Sequence, residues 1–237
     1  MLHYETVSPH LLNVLKKIQQ LPEVSAFRLV GGTSLSLQMG HRTSVDIDLF
    51  TDKSFDIAEL QKTLYKTFDS FEVLWVNKNG FVSTIDGIKV DFFDWHIPFL
   101  KAAVTEDGIC LADKEDIAAM KLEAITTRKE KKDFIDIAFL LRIYNLTDLL
   151  SVHKVKYPYI STKLVIESLL AVDYADKTEP PVMIIPYDWQ MAKLLIVNSA
   201  NNYLNDMKAG VVKQQEDRIR KAEELVKKRN ESQKPPN

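Results

Sequence analysis

Apolar side chains Leu11, Leu12, Val14, Leu15 and Ile18 recur at helical spacing behind Ser8-Pro9, and the pattern stops at Pro22, which predicts a first helix. Phe27 to Val30 reads as a short strand running into Gly31-Gly32. Thr33 is placed to cap a short helix that Gly40 ends. Ser44 to Phe50 reads as the next strand and Phe55 to Phe68 as the next helix. Phe71 to Val76 and Gly80 to Ile85 read as strands around a turn at Asn77 to Asn79, and the hairpin signal Asp86-Gly87 leads into a strand from Ile88 to Phe93.

Beyond Asp113 the pattern is almost purely helical, with helices expected over about 113–130, 134–144, 160–171 and 188–206. The last of these follows an extended Pro-bearing stretch, EPPVMIIP. From Lys208 to Arg229 charges of both signs dominate, which reads as a solvated helix ending in a frayed QKPPN tail. There is no internal repeat. The order predicts an α+β fold, a mixed sheet with flanking helices (1–112) followed by a helical C-terminal lobe (113–237).

Composition narrows the function classes. The 237 residues are 46% apolar, normal for a globular protein, and 31 Lys and Arg against 33 Asp and Glu leave no overall field toward nucleic acid or anionic membrane. Any nucleic-acid contact must come from a local patch. Cys110, the sole cysteine, excludes an internal disulfide and reads as a small buried hydrophobe between Ile109 and Leu111. The N-terminus lacks a signal-peptide pattern and no apolar run reaches membrane-spanning length, so a cytoplasmic protein with no membrane partner is expected.

The candidate chemistry centres on residues 29 to 50. Asp46 and Asp48 alternate with aliphatics, so strand geometry sends both carboxylates to one face, suited to hard cations such as Mg²⁺. Gly31 and Gly32, with Thr33 and Ser34 at a helix start, suit either a plain tight turn or a cradle in which backbone N–H groups meet a phosphate. Asp91 is a third carboxylate in mid-strand, and alternation puts its competitor Asp94 on the other face. Lys121 and Arg128 fall in the middle of a helix's apolar arc, where they suit a triphosphate, and Asp136 on the next helix needs one of them as partner. Asp133 and Asp188 read as helix caps and His41 as a loop surface residue, while the fork of Arg42 suits a nucleotide phosphate or base edge.

Together these residues resemble the DNA polymerase β-like nucleotidyltransferase superfamily. The string GGTSLSLQMGHRTSVDIDLF, with KLEAITTRKEKKDFIDI and DYADKTEPPVMIIPYDWQMAKLL, is similar to the AbiEii/AbiGii nucleotidyltransferase toxin family over about residues 25 to 205. The resemblance implies a two-lobed toxin of a type IV toxin–antitoxin or phage-defence system, with an NTP substrate, a tRNA or other acceptor and a cognate antitoxin. It matches Gly32 and Thr33 to the family's Gly-Ser pair, Asp46 and Asp48 to its metal pair, Lys121 to its second-lobe lysine, Asp136 to a supporting aspartate and Asp91 to its third carboxylate.

The expected activity is a Mg²⁺- or Mn²⁺-dependent nucleotidyl transfer. Asp46, Asp48 and Asp91 would ligate metal, Gly31, Gly32, Thr33, Ser34 and Arg42 would contact the nucleotide, and Lys121 and Arg128 would neutralise developing charge. Two rivals use the same residues: a metal-dependent phosphodiesterase, and a nucleotide sensor or partner-binding module without turnover.

Overall fold

The computed structural model describes residues 1–232, with side chains described over 1–210. The QKPPN tail and the side chains beyond residue 210 lie outside the described residues. In chain order the elements are α1 (Pro9–Gln19), β1 (Arg28–Leu29), α2 (Gly31–Met39), β2 (Ile47–Thr51), α3 (Ile57–Thr67), β3 (Phe71–Asn77), β4 (Gly80–Ile85), β5 (Ile88–Asp94), β6 (Val104–Glu106) and β7 (Ile109–Leu111). Then come α4 (Lys114–Thr127), α5 (Lys131–Leu140), α6 (Leu146–Lys156), α7 (Thr162–Leu170) and α8 (Trp189–Ser232).

Local signals start these helices. Ser8, Asp56, Asp113, Asn145 and Ser161 each accept a first-turn backbone N–H, and Asp188 does the same from Gln190 and Met191. Gly40 closes α2 at φ 69°, the left-handed conformation that favours glycine.

The seven strands form one mixed sheet in the order β3-β4-β5-β2-β1-β7-β6. The β2–β5 and β1–β7 pairs are parallel and the others antiparallel. Two cores flank the sheet. Ile47, Leu49, Val90 and Phe92 point into one with α1 and α3, while Val30, Leu35 and Ala112 join the other, built from the C-terminal helices. The alternate residues of β2 and β5 therefore face the helical half.

Several expectations are corrected. Strand β2 begins at Ile47 rather than Ser44. Helix α2 begins at Gly31 with Val30 as its cap, and α5 ends at Leu140 rather than 144. Three elements went unread. Strands β6 and β7 are three residues each around an Asp107-Gly108 turn. Helix α6 has a legible Asn145 cap, but its buried face carries His153 and Lys156 among the leucines, which hid the apolar period. Cys110 is half-buried rather than buried, and its thiol is pushed up by that burial. Among the described residues no helix is long and apolar enough to cross a membrane.

The polar residues of α6 have different fates. Lys156 pairs with buried Asp116 at 2.7 Å and donates to the Pro98 carbonyl, tying α6 to α4. His153 is fully buried with neither ring nitrogen partnered, and burial lowers its pKa from 6.5 to about 4. The unfolded chain therefore binds a proton that the folded one refuses, so stability falls as pH drops from about 6.5 towards 4. His153→Phe is expected to flatten that slope in urea titrations at pH 7 and pH 4.5. An unchanged slope would show that the ring takes up its proton without cost.

Candidate active site

Strand register assembles the acidic wall. Asp48 on β2 stands directly opposite Asp91 on the parallel neighbour β5, in the row where Leu49 faces Phe92 one step on. Asp46 lies just before β2, in the extended lead-in to the strand, and lines the same cleft as Asp48. Burial, then the charges of Asp91 and Asp46, raise the Asp48 carboxyl from 3.8 to about 6, partly offset by Lys89 and Lys121. Crowded like charges of this kind favour a cation between them.

A cation is already present in the form of Lys89, which sequence reading missed. It precedes Asp91 by two on the same strand face, and its Nζ lies 2.8 Å from both Asp91 oxygens. That i, i+2 spacing was the available signal. Among the described residues no three Asp, Glu, His or Cys side chains are placed to hold one metal ion. Asp46 and Asp48 nonetheless supply the hard oxygens that suit Mg²⁺, and the strained ionisation of Asp48 is what a divalent cation would relieve. Asp91 joins such a set only when Lys89 leaves it.

The glycine pair explains itself by proximity. A side chain on Gly31, which sits at φ 67°, would begin 2.2 Å from the Asp48 carboxylate, and one on Gly32 would begin 2.4 Å from the Arg42 guanidinium. Both positions must be bare for the walls to close on the helix start. Thr33 is buried inside α2 rather than capping it; its hydroxyl donates to the Asp46 carbonyl and meets the Ser44 hydroxyl at 2.8 Å, which fixes the backbone that carries Asp46. The Ser34 hydroxyl is also buried and accepts from Gln38. Neither hydroxyl lines the cleft, so only the free N–H groups of the helix start face it.

The basic wall is a buried ion cluster. Lys121 Nζ reaches Asp133 at 2.8 Å and Asp136 at 2.7 Å. Arg42 clamps Asp136 through Nε at 2.7 Å and Nη2 at 2.8 Å, and His41 Nε2 reaches the same carboxylate at 2.8 Å. Arg128, at the end of α4 and half exposed, binds Asp133 through Nε at 2.8 Å and Nη2 at 3.1 Å. Burial alone would raise Asp136, but Lys121 and Arg42 hold it well below the usual carboxylate range, and Asp133 is lowered likewise by Lys121 and Arg128. Burial would discharge Lys121, but Asp136 and Asp133 keep it charged. Three cations thus balance two carboxylates, leaving one positive charge to face the acidic wall.

Two expectations fail here for one reason. His41 is fully buried rather than on a loop surface, and Asp133 is a buried ion-pair partner rather than a cap, the cap position belonging to Glu130. The missed signal was KKDFIDI, where Asp133 and Asp136 at i, i+3 share one helix face, while Lys132, the i−4 neighbour of Asp136, pairs with Glu130 instead. The Arg42 fork is spent on Asp136, and the backbone beside it bridges Met183 of the proline-rich stretch. Between the walls lies a cleft of 640 Å³, within the range of small-molecule sites, whose lining includes Gly31, Gly32, Asp46, Asp48, Asp91, Lys121 and Arg128.

A mixed sheet carrying paired carboxylates, roofed by helices that bring in cations, is a fold this chain shares with solved nucleotidyltransferases. MenT4, a nucleotidyltransferase toxin from Mycobacterium tuberculosis H37Rv, superposes with a TM-score of 0.52 at 15% identity, covering 80% of this chain and 82% of that one. JHP933 from Helicobacter pylori gives 0.51 at 18% identity, covering 88% and 99%. In sequence, a protein of Aquifex aeolicus (strain VF5) is 33% identical over 198 residues, spanning 81% of this chain and 95% of its own. The family model for the nucleotidyl transferase AbiEii toxin of type IV toxin–antitoxin systems matches residues 13–98 and 83–221. The chain belongs to the AbiEii nucleotidyltransferase toxin family.

Proposed function

We propose that the protein transfers a nucleoside monophosphate from an NTP to an acceptor hydroxyl on RNA, such as a tRNA, with a cognate antitoxin as its restraint in the cytoplasm. The observation that carries this reading is the Asp48–Asp91 register beside Asp46, facing Lys121 across one cleft. Asp46 and Asp48 would hold a divalent cation, Mg²⁺ or Mn²⁺, joined by Asp91. Such an ion supplies Lewis-acid stabilisation of phosphoryl oxygens.

The chain's own groups do the rest. The N–H groups at Gly31, Gly32 and the start of α2 receive phosphate oxygens. Lys121 and Arg128 neutralise charge that develops on the leaving diphosphate, and Asp133 and Asp136 hold those cations in place. Arg42 acts as a positioning residue by fixing Asp136. Asp91, when released from Lys89, lies in the row where an acceptor hydroxyl would need a base. The helical half roofs the cleft through α4 and Pro180 to Val182.

The test is incubation with each α-labelled NTP, Mg²⁺ and total cell RNA, intact protein against Asp48→Ala. Label appearing on RNA only with the intact chain supports transfer, and equal label in both samples excludes this site. The Lys89–Asp91 pair favours one second reading, a module that holds NTP without turnover. NTP binding with no label on any acceptor would select it.

Lys89 yields its own prediction. Since its ammonium competes for Asp91, Lys89→Met is expected to bind Mn²⁺ up to about fivefold more tightly, the limit set by an exposed ion pair. Electron paramagnetic resonance of free Mn²⁺ reads this directly. Weaker binding in the variant would refute the competition.

A further inference from the structure

The strand face that carries the carboxylates continues into an aromatic one. Phe50 follows Asp48 by two on β2, and Phe93 follows Asp91 by two on β5, with Phe50 and Phe93 in register. Two residues of strand amount to about 6–7 Å, the reach of a sugar from a phosphate held at the acidic row. Trp95 stacks on Phe50 with centroids 5.1 Å apart and planes 25° from parallel, and Phe93 backs Phe50 edge-on at 5.8 Å. Phe50 and Trp95 both line the cleft.

Tyr157, just past α6, closes this end. It is 1% exposed and lines the cleft, and its hydroxyl approaches the buried indole N–H of Trp95 without a well-formed hydrogen bond, neither atom having another partner in the protein. Buried polar atoms are nearly always well partnered, so a Trp95–Tyr157 pair left with hydrogen-bonding capacity to spare on one wall of a cleft marks a place where a polar-edged ligand completes it. Glu123 lines the same cleft; burial first, and then the charge of Glu123, raises the Tyr157 hydroxyl, partly offset by the Trp95 N–H. A flat apolar surface with one donor, one donor–acceptor and one carboxylate acceptor suits a heterocycle, not a phosphate.

We propose that Phe50, Trp95, Tyr157 and Glu123 form the pocket for the base of the bound NTP, selecting bases with an exocyclic amino group over uracil. The proposal rests on the nucleotidyl-transfer reading above. The Glu123 carboxylate accepts from the amino group of adenine, cytosine or guanine, whereas uracil offers carbonyls at both exocyclic positions. Stacking on Phe50 and Trp95 is indifferent to base identity and contributes binding to all four.

Calorimetric titration of the intact chain with ATP, CTP, GTP, UTP and inorganic tripolyphosphate, each with Mg²⁺, tests this. At least one amino-bearing NTP is expected to bind about tenfold or more tightly than UTP. Glu123→Gln should narrow that gap, and Tyr157→Phe and Trp95→Phe should each weaken NTP binding by about three- to tenfold while tripolyphosphate binding stays as it was. Because the Tyr157 hydroxyl has only its poorly formed approach to Trp95 to lose, Tyr157→Phe should melt within about 2–4 °C of the parent. NTP binding that is blind to base and unmoved by all three variants would overturn the pocket and leave nucleotidyl transfer standing. Failure of every NTP and of tripolyphosphate to bind would overturn both.

Discussion

Asp48→Asn is expected to lower nucleotide transfer about a thousandfold or more, since several kcal/mol of charge stabilisation at the reacting phosphate depend on that carboxylate. The same change should make the metal-free protein more stable. Asp48 is raised to about 6 by burial and by its neighbours Asp91 and Asp46, so its ionised form opposes folding. A carboxyl whose folded pKa lies above its unfolded one favours the native state only at low pH, and that advantage disappears as pH rises through the folded value. The variant's gain over the parent should therefore grow from about pH 4 to about pH 6 and then level off, at about 2–4 °C in melting temperature per kcal/mol of relieved repulsion. Saturating Mg²⁺ should cancel it. Full activity, or a less stable variant at pH 7.5, would remove Asp48 from the centre of the site.

Asp136→Ala is expected to have the largest effect on stability. It leaves Lys121, Arg42 and His41 facing one another with a single buried carboxylate, Asp133, to share. Removing one partner of a buried pair typically costs about 3–5 kcal/mol, because the remaining charge stays out of water. Urea titration should show that loss, and Lys121→Met in the same chain should recover part of it by removing the stranded ammonium. A cost below about 1 kcal/mol would mean that water already reaches the cluster.

Much of this architecture was legible because it rests on local rules. The capped helices at Ser8, Asp56 and Asp188 and the Asp86-Gly87 turn follow from residue types a few positions apart. The Asp46 and Asp48 pair could be read from its spacing, although only Asp48 falls inside β2. Asp91 could be read as a mid-strand carboxylate on an adjoining strand, but the register that sets it opposite Asp48 could not, since parallel pairing with β2 joins segments about forty residues apart and leaves no short-range trace. His41 and Asp133 were misread for a related reason. A polar residue among loop or first-turn positions looks solvated until the fold supplies a buried partner, and here the partners Asp136 and Lys121 arrive from other elements. The Arg42 fork looked free for the same reason.

The Asp48–Asp91 row also limits how relatives of this chain can change length. Side chains on a strand swap faces at every step, so deleting or inserting one residue within 88–94 or 47–51 would aim half the acidic set at α1 and α3. Drift in size should therefore accumulate at the bends around Asn77 to Asn79 and Asp86-Gly87, while β2 and β5 keep a fixed parity.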